Sequence, residues 1–249
     1  MQITGHPPLQ ANRLLRLLPE AERSAIKVDL HDINWGQGET VYEIDAPAEY
    51  VYFPVGAVSS TLIMMENGTG VETNTTGREG MLGAHAALGS DAMTAKVICQ
   101  VAGPTYCMRM RAFKDHLDSL SVFRDLVSRF NVTLLQVVSQ TAACNRLHHI
   151  NQRLVRWLLM THDRVFNGSF KLTHEFISLM LGVNRPTVTI AAAALQEAGL
   201  IKYHRGLVTV VDREKLEEAC CECYSIVKRA FENLLPEGID VRPEDRAWV

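Results

Sequence analysis

The sequence predicts an α+β chain in which an antiparallel β-roll comes first, one long helix follows, and a compact helical unit with a strand hairpin comes after it. Three observations carry that expectation. Short apolar runs punctuated by glycine fill residues 35–111, an apolar stripe at heptad spacing runs from Phe123 to Cys144, and the stretch from Leu172 to Ile201 splits into two amphipathic segments around Gly182. A chain of 249 residues is long enough for each part to bury a core. The expected division is a roll with a helical lead-in over 1–117, the long helix over 118–147, the helical unit over 148–224, and a C-terminal helix with an acidic tail over 225–249.

In the lead-in, Asn12 to Lys27 has the spacing of a short helix, with Leu14, Leu17, Leu18 and Ile26 on one side. Five runs then read as strands: Val41 to Ile44, Tyr50 to Phe53, Val58 to Met65, Val71 to Thr73, and Ala95 to Val101. Glycines from Gly36 to Gly103 recur at turn-like intervals, which favours a small antiparallel barrel or double-sheet roll and leaves no room for a helix of usual length.

In the long helix, Phe123, Val127, Phe130, Leu134, Val137, Thr141 and Cys144 follow one another at alternating four- and three-residue steps. This stripe is expected to pack against its own copy in a parallel coiled coil, making the protein a homodimer. Val122, Leu126, Val132, Leu135 and Val138 would then cover the roll. The other reading is a helix that faces only its own roll. His148 and His149 interrupt the pattern and place a hinge around Asn145 to Asn151, before a helix carrying Leu154, Val155, Trp157, Leu158 and Leu159.

The helix pair has its own punctuation. Thr173 is placed to cap a helix whose apolar residues are Phe176, Ile177, Met180 and Leu181; Gly182 permits the turn, and Asn184 can cap the second helix. On that second helix Val188, Ala191, Ala192 and Leu195 form the core stripe, while Pro186, Ile190, Ala193 and Glu197 project the other way. Residues 202–211 then form two alternating runs about Arg205-Gly206, a β-hairpin wing. Helix, turn, helix and wing make a winged helix-turn-helix, a module that sets its second helix in the major groove of double-stranded DNA.

Charge agrees with this placement. The whole chain carries −3, but residues 146–213 hold nine Lys and Arg against four Asp and Glu, a net +5, with five histidines besides. A basic segment within an acidic chain suits phosphate attraction.

From about Asn145 to Tyr224, including HHINQRLVRWLLMTHDR before the helix pair and ACCECY after it, the sequence resembles the DNA-binding domain of Crp/Fnr transcription regulators. The amino-terminal roll resembles, less specifically, the cyclic-nucleotide-binding fold of that family. The resemblance implies a homodimer reading two inverted half-sites about 34 Å apart, with RNA polymerase and an unidentified small-molecule effector as further partners. Arg185, Pro186, Thr189 and Ile190 are expected to read bases. Arg185 offers its guanidinium fork to guanine, and Pro186 and Ile190 meet thymine methyls. Thr173, Thr187, Lys202, His204 and Arg205 are expected at phosphates.

The effector pocket should be framed by Arg78, Gly83, Ala84, His85, Met93 and Thr94. Nucleotide-binding relatives have a Gly-Glu-Leu turn and an Arg-Ser or Arg-Thr pair where this chain has Gly83-Ala84-His85 and Met93-Thr94-Ala95. A cyclic phosphate would lose its bidentate arginine there, so cyclic AMP is not the expected ligand.

No cofactor and no metal are expected. The six cysteines lack paired CxxC spacing, none precedes Cys99 to hold an iron-sulfur cluster, and the roll supplies only His85 toward a haem or a metal-dependent enzyme. Cys220, Cys221 and Cys223 read as buried or bystander cysteines, and His148 and His149 as interfacial or solvent-facing. The chain lacks a nucleophile elbow or phosphate loop and is not expected to be an enzyme. With no apolar run of membrane-spanning length, a soluble cytoplasmic protein is expected, with no membrane partner. The alternative function is a ligand-sensing dimeric interaction module without sequence-specific DNA binding.

Overall fold

The computed structural model describes residues 7–90, 92–165 and 168–234; the acidic tail expected over 235–249 lies outside them. The lead-in is two helices, α1 (Arg13–Arg16) and α2 (Glu20–Lys27), because Pro19 stands extended between them as the cap of the second. Buried Asn12 anchors this segment to the roll: its carbonyl oxygen accepts from Leu15 N, and its amide donates to Pro54 O at 2.9 Å and Gly80 O at 2.8 Å.

Seven strands form the roll: β1 (His31–Trp35), β2 (Thr40–Tyr42), β3 (Tyr50–Pro54), β4 (Val58–Met64), β5 (Gly70–Thr76), β6 (Lys96–Val101) and β7 (Gly103–Arg109). They pair antiparallel in two sheets, β1-β7-β3 and β2-β6-β4-β5. The expected runs correspond to β2 through β6. β1 and β7, which the apolar runs did not announce, flank the glycine-rich region and join β3 in the first of these sheets. Between β6 and β7 the chain passes from one sheet to the other at Gly103, where a Cβ would lie 2.6 Å from the Gly56 carbonyl carbon. Trp35, Val51, Phe53, Leu62, Met81, Val97 and Met108 fill the interior.

The helices α3 (Met110–Ser119) and α4 (Ser121–Leu147) lead out of the roll. Beyond the break at His148-His149 come α5 (Ile150–Arg164), β8 (Ser169–Lys171), α6 (His174–Leu181), α7 (Arg185–Glu197), β9 (Ile201–His204), β10 (Leu207–Val210), α8 (Arg213–Glu218) and α9 (Cys223–Glu232).

The first of the two apolar faces of α4 is used differently from the expected way. Phe123, Val127, Phe130, Val137, Thr141 and Cys144 are buried within their own chain, and Leu134 is half-buried. Phe123 lies against Phe53 and Phe113, and Phe130 meets Phe231 of α9 with ring centroids 6.5 Å apart. Phe130 also fills the space over Gly80, where a Cβ would lie 2.3 Å from its ring. The stripe expected at a dimer seam is therefore taken by the roll and by α9. Of the set expected to cover the roll, Leu126 is buried, Val122 packs on the core, and Leu135 and Val138 border the roll while remaining 68% and 38% exposed; Val132 is 58% exposed.

Helix α5 seats the C-terminal unit on the roll through polar bonds inside an apolar face. Arg164 and Glu79, both buried, are joined at 2.8 Å. Trp157 Nε1 donates to Glu72 Oε1 at 2.9 Å, and Gln100 Nε2 donates to Thr161 Oγ1 at 2.8 Å.

Candidate nucleic-acid interface

Local chemistry builds the helix pair as the sequence implies. Thr173 Oγ1 accepts from Phe176 N at 3.1 Å to start α6, and Gly182 ends it in the left-handed conformation at φ 60°. Gly182 also lies against β5, since a Cβ there would meet Val71 Cγ2 at 3.2 Å. Asn184 Oδ1 accepts from Thr187 N at 3.0 Å and opens α7, with Pro186 in its first turn where no intrahelical amide is required. The chain bends by 107° between the two helices, within the range of a DNA-binding helix-turn-helix.

Burial divides α7 along its length. Val188, Ala191, Ala192 and Leu195 are buried, while Arg185, Pro186, Thr189, Ile190, Ala193 and Glu197 are exposed, Ile190 by 73%. Beside it the hairpin β9–β10 turns at Arg205 and Gly206, whose φ values of 48° and 81° give the twist that a two-residue hairpin turn needs. Lys202, His204 and Arg205 are exposed on this wing. β8 pairs with β10 to complete a three-stranded sheet in the order β8-β10-β9. With three residues, β8 is too short for its alternation to be read from sequence.

The face has internal support. The His174 ring stacks on Tyr203 at a centroid distance of 4.3 Å, and its Nδ1 lies 2.9 Å from Thr189 Oγ1. Burial, and then the nearby charge of Arg185, hold the His174 pKa below the usual histidine value, so the imidazole is neutral around pH 7. Thr189 donates its hydroxyl to Arg185 O at 3.1 Å, and Thr187 donates its own to Asn184 Oδ1 at 2.6 Å. Both protons are thus engaged in holding the first turn of α7. The hydroxyl that Thr187 was expected to offer a phosphate is committed to the cap, whereas Thr173 accepts with its oxygen and keeps its proton for donation.

Within the roll, Gly83, Ala84, His85, Met93 and Thr94 do meet around one cavity, of about 440 Å³, between β4–β6 and α4. Thr73, Asn74, Asn131, Leu134, Leu135 and Val138 complete much of its wall. Its described lining contains no Lys, Arg, Asp or Glu. Arg78 is the correction: it does not line this cavity. Its half-buried side chain is turned toward α5, where Nη2 donates to Asp163 O at 3.4 Å, and burial lowers its pKa. Gly83 needs to be glycine here, with φ 86° and the Tyr42 hydroxyl 2.9 Å from where a Cβ would be.

The thiols of the C-terminal region also differ from expectation. Cys144 lies 3.8 Å from Cys221, and His148 lies 3.5 Å from Cys223. Cys221 and Cys223 stand at the turn between α8 and α9, buried as expected, and both face the end of α4. The readable signal was Cys144-x3-His148, one helical turn apart; its partner pair is remote in sequence.

Residues 152–219 match the Crp-like helix-turn-helix domain family. Among solved structures, the chain is similar to FixK2 from Bradyrhizobium japonicum, with a TM-score of 0.65 and 15% identity over 77% of this chain and 98% of that one. It is similar to TTHB099, a CRP-family transcriptional regulator from Thermus thermophilus, with a TM-score of 0.61 and 18% identity over 75% and 95% of the two chains. CLP, the c-di-GMP-responsive global regulator of Xanthomonas campestris, gives a TM-score of 0.60 and 12% identity over 78% and 100%. Comparison with curated proteins gives no match. The chain thus has the fold of Crp/Fnr transcription regulators and carries a Crp-like helix-turn-helix domain. No single helix among the described residues is long and apolar enough to cross a membrane.

Proposed function

We propose that this protein is a homodimeric transcription regulator that recognises an inverted repeat in double-stranded DNA through α7 and is not gated by cyclic AMP. The observation that carries the reading is the exposed first turn of α7: Arg185 stands on a helix capped by Asn184, beside a wing that exposes Lys202, His204 and Arg205. With α7 in the major groove, the Arg185 fork donates to O6 and N7 of a guanine, while Pro186, Ile190 and Ala193 pack on thymine methyls. Thr189 holds Arg185 through its carbonyl, and the wing cations with Thr173 set the register on phosphates.

The dimer seam belongs to the exposed row of α4. Val132, Leu135 and Val138, with the exposed Ala142 a turn beyond, present apolar side chains along the helix beside the buried stripe. Pairing that row with its copy about a two-fold axis gives two recognition helices one DNA turn apart, about 34 Å. The cavity beside Leu135 and Val138 has no described charge to neutralise a cyclic phosphate, which supports an uncharged effector seated where it touches the seam.

Selection of bound duplexes from a random pool by the purified protein, followed by footprinting, tests this. The expected product is an inverted repeat protected as two half-sites one turn apart. A second reading, a ligand-sensing dimer without sequence-specific DNA binding, draws on the apolar character of Ile190 and Ala193. Absence of any enriched sequence at low ionic strength would favour it.

A further inference from the structure

We propose that Cys144, His148, Cys221 and Cys223 form a closed tetrahedral site for one zinc(II) ion, tying the end of α4 to the start of α9. Each residue offers one ligand atom, and the four atoms lie within 4.8 Å of one another. Bond lengths of about 2.3 Å to sulfur and 2.0–2.1 Å to nitrogen put tetrahedral ligands about 3.8 Å apart for two sulfurs and about 3.5 Å apart for sulfur and nitrogen. The chain has Cys144 Sγ to Cys221 Sγ at 3.8 Å and Cys223 Sγ to His148 Nδ1 at 3.5 Å. These are the separations of side chains arranged around a single ion. An iron-sulfur cluster distributes its thiolates over more than one iron and needs them further apart.

The surroundings fit a metal better than packing alone. All three thiols are buried, and a cysteine packed merely as a small apolar group has no need of an imidazole nitrogen aimed at it. His148 turns Nδ1 inward while its Nε2 lies 3.3 Å from Glu222 Oε2, the carboxylate–histidine pairing that fixes ring orientation and tautomer at metal centres. Gln140 Nε2 donates to Cys223 Sγ at 3.0 Å, a bond that favours thiolate over thiol. Three thiolates and a neutral imidazole on a divalent cation leave one negative charge, and buried Arg156 exerts an opposing positive potential at Cys144. Loading the site releases three thiol protons and needs no oxidant or reductant.

Four protein ligands leave no open position, so the ion is structural. Its place gives it a consequence. Cys144 lies in the last turn of the long helix, His148 is the break before α5, and Cys221 and Cys223 precede and begin α9, so one ion clamps the junction from which the DNA-binding unit departs.

The full chain, stripped by chelator under reducing, anaerobic conditions and titrated with cobalt(II), should show the visible bands of a tetrahedral ion with sulfur-to-metal charge transfer, saturating at one equivalent. Zinc-loaded protein should retain one zinc per chain after gel filtration. Cys221→Ser and Cys223→Ser should each lose the cobalt spectrum, and Glu222→Gln should weaken metal affinity about tenfold. Cys99→Ser and Cys107→Ser, in the roll, should bind as the parent does. If folded parent protein retains no stoichiometric zinc, shows an octahedral cobalt spectrum, or holds iron with cluster absorption, the assignment is overturned; the parent titration decides this even if a variant misfolds.

Discussion

Arg164 and Arg185 put the same side chain to opposite uses, and burial is what separates them. Arg164, in the last turn of α5, is enclosed: Nε and Nη2 meet Glu79 Oε1 at 2.9 and 2.8 Å, Nη1 donates to Met160 O at 2.6 Å, and Nη2 reaches Thr75 O at 3.4 Å. Arg185, in the first turn of α7, is exposed above a neutral histidine. A guanidinium without water must be saturated by the protein, and it then fixes the angle of one unit on another. A guanidinium left in water is free to exchange that water for a base edge.

The largest expected effect follows from the enclosed one. Arg164→Met should destabilise the fold by about 3–5 kcal/mol in denaturant unfolding, because it abandons Glu79 uncompensated in the interior. Replacing Glu79 as well should recover most of that loss, since neither member of the pair is then left without its partner. A single variant with the stability of the parent would mean that the seam between α5 and the roll does not depend on the pair.

Next comes the exposed row of α4. Leu135→Asp should forfeit about 1.5–3 kcal/mol of association, the burial value of one leucine, and shift the protein toward monomer in analytical ultracentrifugation. If the self-association is unchanged, the seam lies elsewhere on the molecule. Arg185→Ala should leave unfolding within about 0.5 kcal/mol of the parent but relax base preference at one half-site position by about 1–3 kcal/mol. Lys202→Ala combined with Arg205→Ala should do the converse, weakening all sequences alike and lowering the salt slope by about 1.8 per protomer. Equal behaviour of the two variants would erase the division between reading helix and positioning wing.

How much of this was legible follows from how far each signal reaches. The helix pair and its wing rest on neighbours in sequence: Thr173 and Asn184 cap the helices that follow them, and Gly182 and Arg205-Gly206 make the turns they mark. Pocket residues Gly83 and Met93 could be placed by resemblance, whereas Arg78 could not, because its direction depends on α5 packing beneath it. The stripe on α4 was visible, but its partner was not. A heptad pattern records that something apolar covers a face, and here α9 and the roll do so before a second chain can. The thiol cluster was illegible for the same reason, since Cys144 and Cys221 meet only after α9 has packed on α4.

The smallest predicted effect sharpens the contrast at a single carboxyl. Glu72, fully enclosed in the roll, accepts from Trp157 Nε1 and from Thr75 Oγ1 on one oxygen, yet unlike Glu79 it has no ion-pair bond among the described residues; burial pushes its pKa above the ordinary 4.5. A folded-state pKa raised above the unfolded one contributes stability that is full below the unfolded value and is lost as pH rises through the folded value. Glu72→Gln keeps an oxygen for both donors and removes the charge. Its stability relative to the parent should therefore improve as pH rises from 4 to 8. The same pH series on Arg164→Met separates the two acids, since there it is Glu79 that becomes the unpaired buried carboxylate, and that variant should lose ground to the parent over the interval in which Glu72→Gln gains it. Denaturant midpoints across the series measure both. A flat difference for Glu72→Gln would mean that the Trp157 and Thr75 hydrogen bonds already offset the desolvation of Glu72.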